Sequence, residues 1–321
     1  MKDRIIPYGI LVDMPEGFKK IRKKLLRSVR SKLEGVNIKR VNEFSRSIAL
    51  LPGVVRVFED ADLPKIRSIL DPMNLLRGAF SQSENGMYIP EIDVSLVRRN
   101  SEMEETNGPF STECVMIHER VHNSSACPYY TVLNNALPYE MYRSRSGLCL
   151  PQNEAVSSLG PWGYFFEEGT AELCASLYRK TYREETQRKK ILRELQRPEE
   201  WTEESLIQFG EQDKSRYFLP VKYLLSGPDG PVVSVSSFAG FGLELLCIKD
   251  PSLWEALILG RRKLSSLRKI PKIVNGISPG LYGQLARYGY TDDEFIDGLR
   301  RIIVTVFGGK IAVNSSCEIL F

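Results

Sequence analysis

Histidine is almost missing from this sequence: His118 and His122 are the only two among 321 residues. Paired cysteines are missing too. Cys114, Cys127, Cys149, Cys174, Cys247 and Cys317 are scattered with no Cys-x-x-Cys spacing, which excludes a zinc ribbon or a small disulfide framework and predicts reduced, mostly buried thiols. No stretch approaches the roughly 18–20 uninterrupted apolar residues of a membrane-spanning helix, and LWEALILG is far too short. The opening run MKDRIIPYGILVDMPEGFKK is broken by charges before it reaches the length of a signal-peptide core. Charge of one sign is also lacking. Lys and Arg number 44 against 40 Asp and Glu, a net of +4, well short of a dedicated nucleic-acid binder. These absences predict a soluble, cytoplasmic chain that folds on its own core, for which 42% apolar residues suffice. No repeat and no low-complexity tract is present, and no feature sets an oligomeric state.

Periodicity supplies the elements. From Pro15 to about Glu34, Phe18, Ile21, Leu25, Val29 and Leu33 recur at spacings of three and four, which predicts a helix with one buried stripe. Its other face is basic: Lys19, Lys20, Arg22, Lys23, Lys24, Arg27, Arg30 and Lys32, read as a solvated face. GVVRVF at 53–58 alternates like a strand. In FSQSENGMYIPEIDVSL, Asn85-Gly86 reads as the turn of a hairpin. Ile92, Val94 and Leu96 share a face of the second run, and Pro90, which has no N–H to donate, marks it as an edge strand. A helix runs through CVMIHERVHNSS, capped by Ser111 or Thr112, with Glu113 in its first turn. Residues 123 to about 162 show little periodicity and read as a long connection able to cover a substrate. A second long helix is predicted from near Glu167 to about Gln196, before Pro198. From Trp201 onward the chain reads as mostly helical.

His118-Glu119-Arg120-Val121-His122 fits H-E-x-x-H. Four residues along a helix is about 6 Å of rise and about 40° of rotation, so both imidazoles can converge on one ion. Zinc takes such nitrogens at about 2.0–2.1 Å, needs a third protein ligand, and leaves a fourth position for water, whose proton Glu119 can take. With both histidines of the chain inside the motif, chance placement is on the order of one in a thousand. No third histidine exists, which excludes the HExxHxxGxxH pattern, where Ser125 and Pro128 stand instead. No aspartate occurs between His122 and Asp213. The third ligand is therefore a glutamate among Glu140, Glu154, Glu167, Glu168 and Glu172, with Cys149 and Cys127 as outside choices. Cys114, one turn before His118, reads as a small buried residue supporting the site. No spare histidine can stabilise an oxyanion, so Tyr164, Tyr217 and Tyr223, with Arg216, are the candidates. A cysteine switch in residues 1–113 is excluded, because that segment contains no cysteine.

The run FFEEGTAELCASLY, following HERVH, resembles the second motif of the gluzincin metallopeptidases. The resemblance covers the two motif helices and the edge strand before them. It implies that Glu168 is the third zinc ligand and that Glu172 orients a metal-binding histidine through its other ring nitrogen. Helical geometry agrees: 168 and 172 share a face, whereas Glu167 lies about 100° away.

The resulting expectation is an α+β, zincin-like fold. An N-terminal lobe, 1–125, holds a small sheet and the HExxH helix, and a mostly helical C-terminal lobe, 126–321, supplies Glu168, with a cleft between them. Function is expected to be zinc-dependent hydrolysis of a peptide or protein substrate lying along the edge strand near 87–96, with Glu119 as general base and Tyr217 or Tyr223 on the oxyanion. Two other readings compete. One is a catalytically inactive zinc-binding regulatory module derived from a peptidase, against which retention of Glu119 argues. The other is a metal-free helical protein that binds nucleic acid through its basic face. No membrane partner is expected.

Overall fold

The computed structural model describes residues 10–12, 16–51, 53–76, 79–80, 85–99, 101, 104–105, 108–124, 129–134, 137–143, 147–149, 163–182, 205–208, 236–289, 292–308, 310–313 and 319–320. In chain order these form β1 (Ile10–Val12), α1 (Glu16–Ser28), α2 (Ile38–Ser47), β2 (Val55–Phe58), α3 (Leu63–Leu70), β3 (Gly86–Ile89), β4 (Val94–Arg98) and α4 (Phe110–Asn123). There follow β5 (Tyr129–Asn134), β6 (Leu137–Arg143), α5 (Tyr164–Tyr182), β7 (Ser205–Gln208), α6 (Ser236–Lys249) and α7 (Ser252–Gly260). The last elements are α8 (Leu264–Leu267), α9 (Lys269–Ile277), α10 (Leu281–Leu285), α11 (Asp292–Phe307), β8 (Lys310–Val313) and β9 (Ile319–Leu320). The class is α+β, mostly helical with small three-stranded sheets. Two compact units divide the chain, residues 1–159 with 258–267, and residues 160–257 with 268–321; the sequence reading put its boundary at 125/126.

In the first unit a mixed sheet has the order β2-β4-β3, with β2 parallel and β3 antiparallel to β4. Alternation splits its side chains between two faces. Ile89, Val94, Leu96 and Phe58 join Leu25 and Val29 of the α1 segment and Ile66, Ile69 and Leu70 of α3 in one core cluster. Gly86 and Ser95 fall on the other face, toward α4. A second, antiparallel sheet has the order β1-β5-β6, with Ile10 opposite Thr131 and Tyr130 opposite Tyr142.

Several expectations change here. The first helix ends at Ser28 rather than near Glu34, and Leu33 is 37% exposed, outside the buried stripe. The hairpin exists one strand later than Asn85-Gly86 suggested: its turn is 90–93, and Gly86 opens β3. Asp93 closes that turn at φ 51°, a left-handed conformation that aspartate tolerates. Its carboxylate accepts hydrogen bonds from Tyr88 Oη and Arg22 Nη1, both at 3.2 Å. Among the described residues β3 and β2 are thus the edges of this sheet and β4 is central, so that of the run 87–96 only the β3 part is an edge, and Ile92 packs into the core from the turn. Residues 123–162 are not without regular structure, since β5 and β6 pair there across a hairpin. Their partner β1 lies more than a hundred residues earlier, a pairing that local periodicity does not report.

In the second unit α5 packs on α6 through two close approaches. A Cβ on Gly169 would lie 2.9 Å from the Ala239 carbonyl oxygen, and one on Gly240 would lie 3.0 Å from Glu172 Cβ. Phe165 fills the space left by Gly298 and Gly242, where added Cβ atoms would come within 2.3 Å and 3.0 Å of its ring. The same ring meets Phe295 edge-on at 5.9 Å. Here too strands appear where a mostly helical reading had none, in the sheet β7-β8-β9. The second long helix begins at Tyr164, and its expected continuation from 183 to 196 lies outside the described residues.

Candidate metal centre

The helix α4 carries His118, Glu119 and His122, and its placement begins at its first turn. No side chain caps it; Pro109 precedes the first residue. The two expected caps are engaged elsewhere, Ser111 Oγ on the Gly108 carbonyl at 3.0 Å and Thr112 Oγ1 on Glu104 Oε1 at 2.5 Å. The anchor is instead Glu113, whose side chain is 1% exposed. It accepts hydrogen bonds from the Asn37 N–H at 2.8 Å and from Arg40 Nε and Nη2 at 3.0 and 2.5 Å. This charge-assisted fork ties the start of α4 to α2. At the other end Arg261, fully buried, donates from Nε to the Val121 carbonyl at 3.1 Å. A cation at a helix C-terminus is favoured by the helix dipole.

Between these anchors α4 makes two close approaches to glycines, one in β3 and one just before β2. A Cβ on Gly86 would stand 2.3 Å from Glu119 Oε1 and 2.8 Å from both Cδ and Cγ. A Cβ on Gly53 would stand 1.6 Å from Asn123 Oδ1. Ser95, buried in the central strand, donates to the Glu119 carbonyl at 3.2 Å. None of these three residues was singled out by the sequence reading as part of the site. Gly86 was read as a turn residue because Asn-Gly favours one, and only the sheet register places it over Glu119.

The imidazoles of His118 and His122 present Nε2 to Nε2 at 3.2 Å, with ring centroids 5.0 Å apart. His118, His122 and Glu168 each offer one ligand atom, all within 4.8 Å of one another, and each residue is half-buried. A tetrahedral ion bonded to imidazoles at about 2.0–2.1 Å holds its nitrogen donors about 3.3–3.4 Å apart, so the histidine pair fits such an ion. Two imidazoles and a carboxylate form a donor set shared by several first-row metals. Glu119 itself is 4% exposed.

On α5 the three acids differ. Glu167 and Glu172 are 3% and 4% exposed, whereas Glu168 is half-buried and belongs to the ligand group. Glu172 accepts hydrogen bonds from Arg179 Nη1 at 3.0 Å and Ser237 Oγ at 3.2 Å. Among the outside choices, Cys149 is a buried thiol, while Cys127, Glu154 and the side chain of Glu140 lie outside the described residues. Cys114, Cys149, Cys174 and Cys247 are thiols rather than disulfide halves, and burial pushes the Cys247 thiol up to about 12, with Glu244 and Asp250 adding to it. Cys114 is 3% exposed, as a packing residue would be. The tyrosines proposed for the oxyanion, Tyr217 and Tyr223, and Arg216 beside them, lie outside the described residues. Tyr164 opens α5 and is half-buried.

Among the described residues no helix is long and apolar enough to cross a membrane. No protein-family model, no curated protein and no solved structure matches the chain.

Proposed function

We propose that this chain is a zinc-dependent peptidase with a zincin-like arrangement, in which His118, His122 and Glu168 hold the metal and Glu119 is the general base. The observation that carries the reading is the convergence of two imidazole nitrogens and one carboxylate with a buried glutamate placed between the two histidines in sequence. Two histidines and a glutamate make up a three-ligand zinc set of the kind that leaves a position open for reaction. Half-buried ligands suit such a site, since a substrate has to reach it.

Bound there, zinc supplies Lewis acidity toward the scissile carbonyl and lowers the pKa of the attacking water. Glu119 takes one proton from that water as its oxygen bonds to the carbonyl carbon, and returns it to the amine nitrogen as the C–N bond breaks. Glu172, one turn beyond Glu168, is assigned the orienting of a metal-binding imidazole, with Arg179 and Ser237 fixing its own carboxylate. Among the described residues β3 stands last in its sheet, the side at which an extended peptide can add as a further strand.

The test is to change Glu119 and Glu168 separately to Gln. Purified parent should hold about one zinc per chain and lose hydrolysis of a short peptide when a chelator removes it. Glu119→Gln keeps zinc and loses about 10²–10⁴-fold in kcat. Glu168→Gln replaces an anionic ligand by a neutral amide, so zinc content falls with turnover, and added zinc restores part of the activity of this variant only. Full hydrolysis by Glu119→Gln would overturn the reading.

A further inference from the structure

Glu119 and Asn123 stand four residues apart on α4 and so share one face of the helix. Each occupies the place where a glycine would otherwise carry a Cβ, Glu119 at Gly86 of β3 and Asn123 at Gly53 just before β2. Neither glycine has a positive φ, so backbone conformation does not call for glycine at either position. Space does. The two notches lie in segments flanking the central strand, on which Ser95 holds the Glu119 carbonyl. The helix thus sets two polar side chains into notches left by glycines, beside the apolar Ile117 and Val121 that it also buries.

From this we infer that Gly86 is a positioning residue for the catalytic step, acting through Glu119: its bare α-carbon is the wall against which the carboxylate of the general base rests. The inference builds on the peptidase reading above. Rotation of the terminal carboxylate alone does not relieve a Cβ at 86, because Cγ would be met at 2.8 Å as well as Oε1 at 2.3 Å. Nor can the side chain swing into solvent freely, being 4% exposed. To regain an ordinary contact of about 3.3 Å, the carboxylate has to withdraw by about 1 Å. A displacement of that size at a proton-transfer group costs on the order of 10² in rate. Gly53 supplies the comparison within the same molecule. Its notch is occupied more tightly, by Asn123 at 1.6 Å, but by a side chain with no part in the reaction.

Gly86→Ala and Gly53→Ala should therefore part company. Both overpack the face between sheet and helix and lower Tm by about 3–8 °C. Only Gly86→Ala should lower kcat per bound zinc by about 10²-fold, with KM within about twofold of the parent. Gly53→Ala should keep kcat per bound zinc within about threefold of the parent. A readout independent of activity and of metal comes from repeating Gly86→Ala in a Glu119→Ala background with chelator present. With the carboxylate gone, the Tm loss should shrink to less than about 2 °C. Equal Tm losses in the two backgrounds, or a Gly86→Ala enzyme with the kcat of the parent, would overturn the assignment. If the parent hydrolyses no peptide, the peptidase reading falls, and the Tm comparison alone decides whether Gly86 seats Glu119.

Discussion

Arg40 and its neighbour Lys39 both pair with a glutamate, and removing their charges should have very different consequences. Glu113 is 1% exposed and Arg40 27%, and the guanidinium gives the carboxylate two of its three hydrogen bonds described above. Arg40→Met leaves that carboxylate buried with the Asn37 N–H. Breaking a buried pair from one side costs about 3–5 kcal/mol. Because solvent reaches part of Arg40, the lower half of a range of about 2–4 kcal/mol is expected. Arg40→Lys keeps the charge but loses the fork, and should cost about 1–2 kcal/mol. Lys39 and Glu43 meet at 4.0 Å with side chains 86% and 48% exposed, so Lys39→Met should stay within about 0.5 kcal/mol of the parent. Urea unfolding followed by circular dichroism, with chelator present so that metal binding adds nothing, measures all three. Arg40→Met/Glu113→Met, which removes both charges, should be more stable than Arg40→Met alone. The argument is refuted if Arg40→Met unfolds at the urea concentration of the parent, or if the double change recovers nothing.

Glu104 should show in the acid limb of stability. Burial pushes its carboxyl up, but hydrogen bonds from Arg99 and Thr112, together with the Arg99 charge, outweigh this and hold it below the ordinary value of 4.5. A depressed folded-state pKa contributes stability that is present above the unfolded value and disappears as pH falls through the folded one. Glu104→Gln should thus be less stable than the parent at pH 7, with the gap closing between about pH 5 and pH 3; a gap constant over that range would contradict the assignment. On α1, Lys19, Lys23 and Arg27 are exposed. Changing all three to Gln should leave peptide hydrolysis within about twofold, and a tenfold loss would make this face a substrate contact.

The parts of the site that could be read from sequence are those whose signal is local. The spacing of His118 and His122 is a property of one helix, which is why that pair was legible before the fold; Glu168 was picked out from five glutamates by the resemblance of FFEEGTAELCASLY, and it lies with the two histidines in a group that could hold a metal ion. The strand at 55–58 was legible for the same reason, through its own alternation. What escaped depends on residues far apart. Asn85-Gly86 has the composition of a turn, yet Gly86 is there because Glu119 arrives above it from α4. Thr112 has the composition of a cap, yet its hydroxyl is taken by Glu104 across a loop. Tyr129–Asn134 becomes a strand between Leu137–Arg143 and Ile10–Val12, the last of which no window around residue 130 contains.

The hydrogen bond from Arg261 to the Val121 carbonyl spans 140 residues of sequence, and this has a consequence for how the protein is made. Residues 160–257 belong to the other compact unit and are inserted between the two segments of the first. A ribosome therefore delivers the helix with both histidines long before the arginine that holds its final turn. Closing a loop of that length costs about 4 kcal/mol in chain entropy, a cost that falls as helices form within the intervening residues and shorten the free chain. Because residues 268–321 of the other unit are made later still, neither unit is complete when Arg261 is added. A nascent chain released before residue 261 would carry the whole HExxH segment with the end of its helix unsecured.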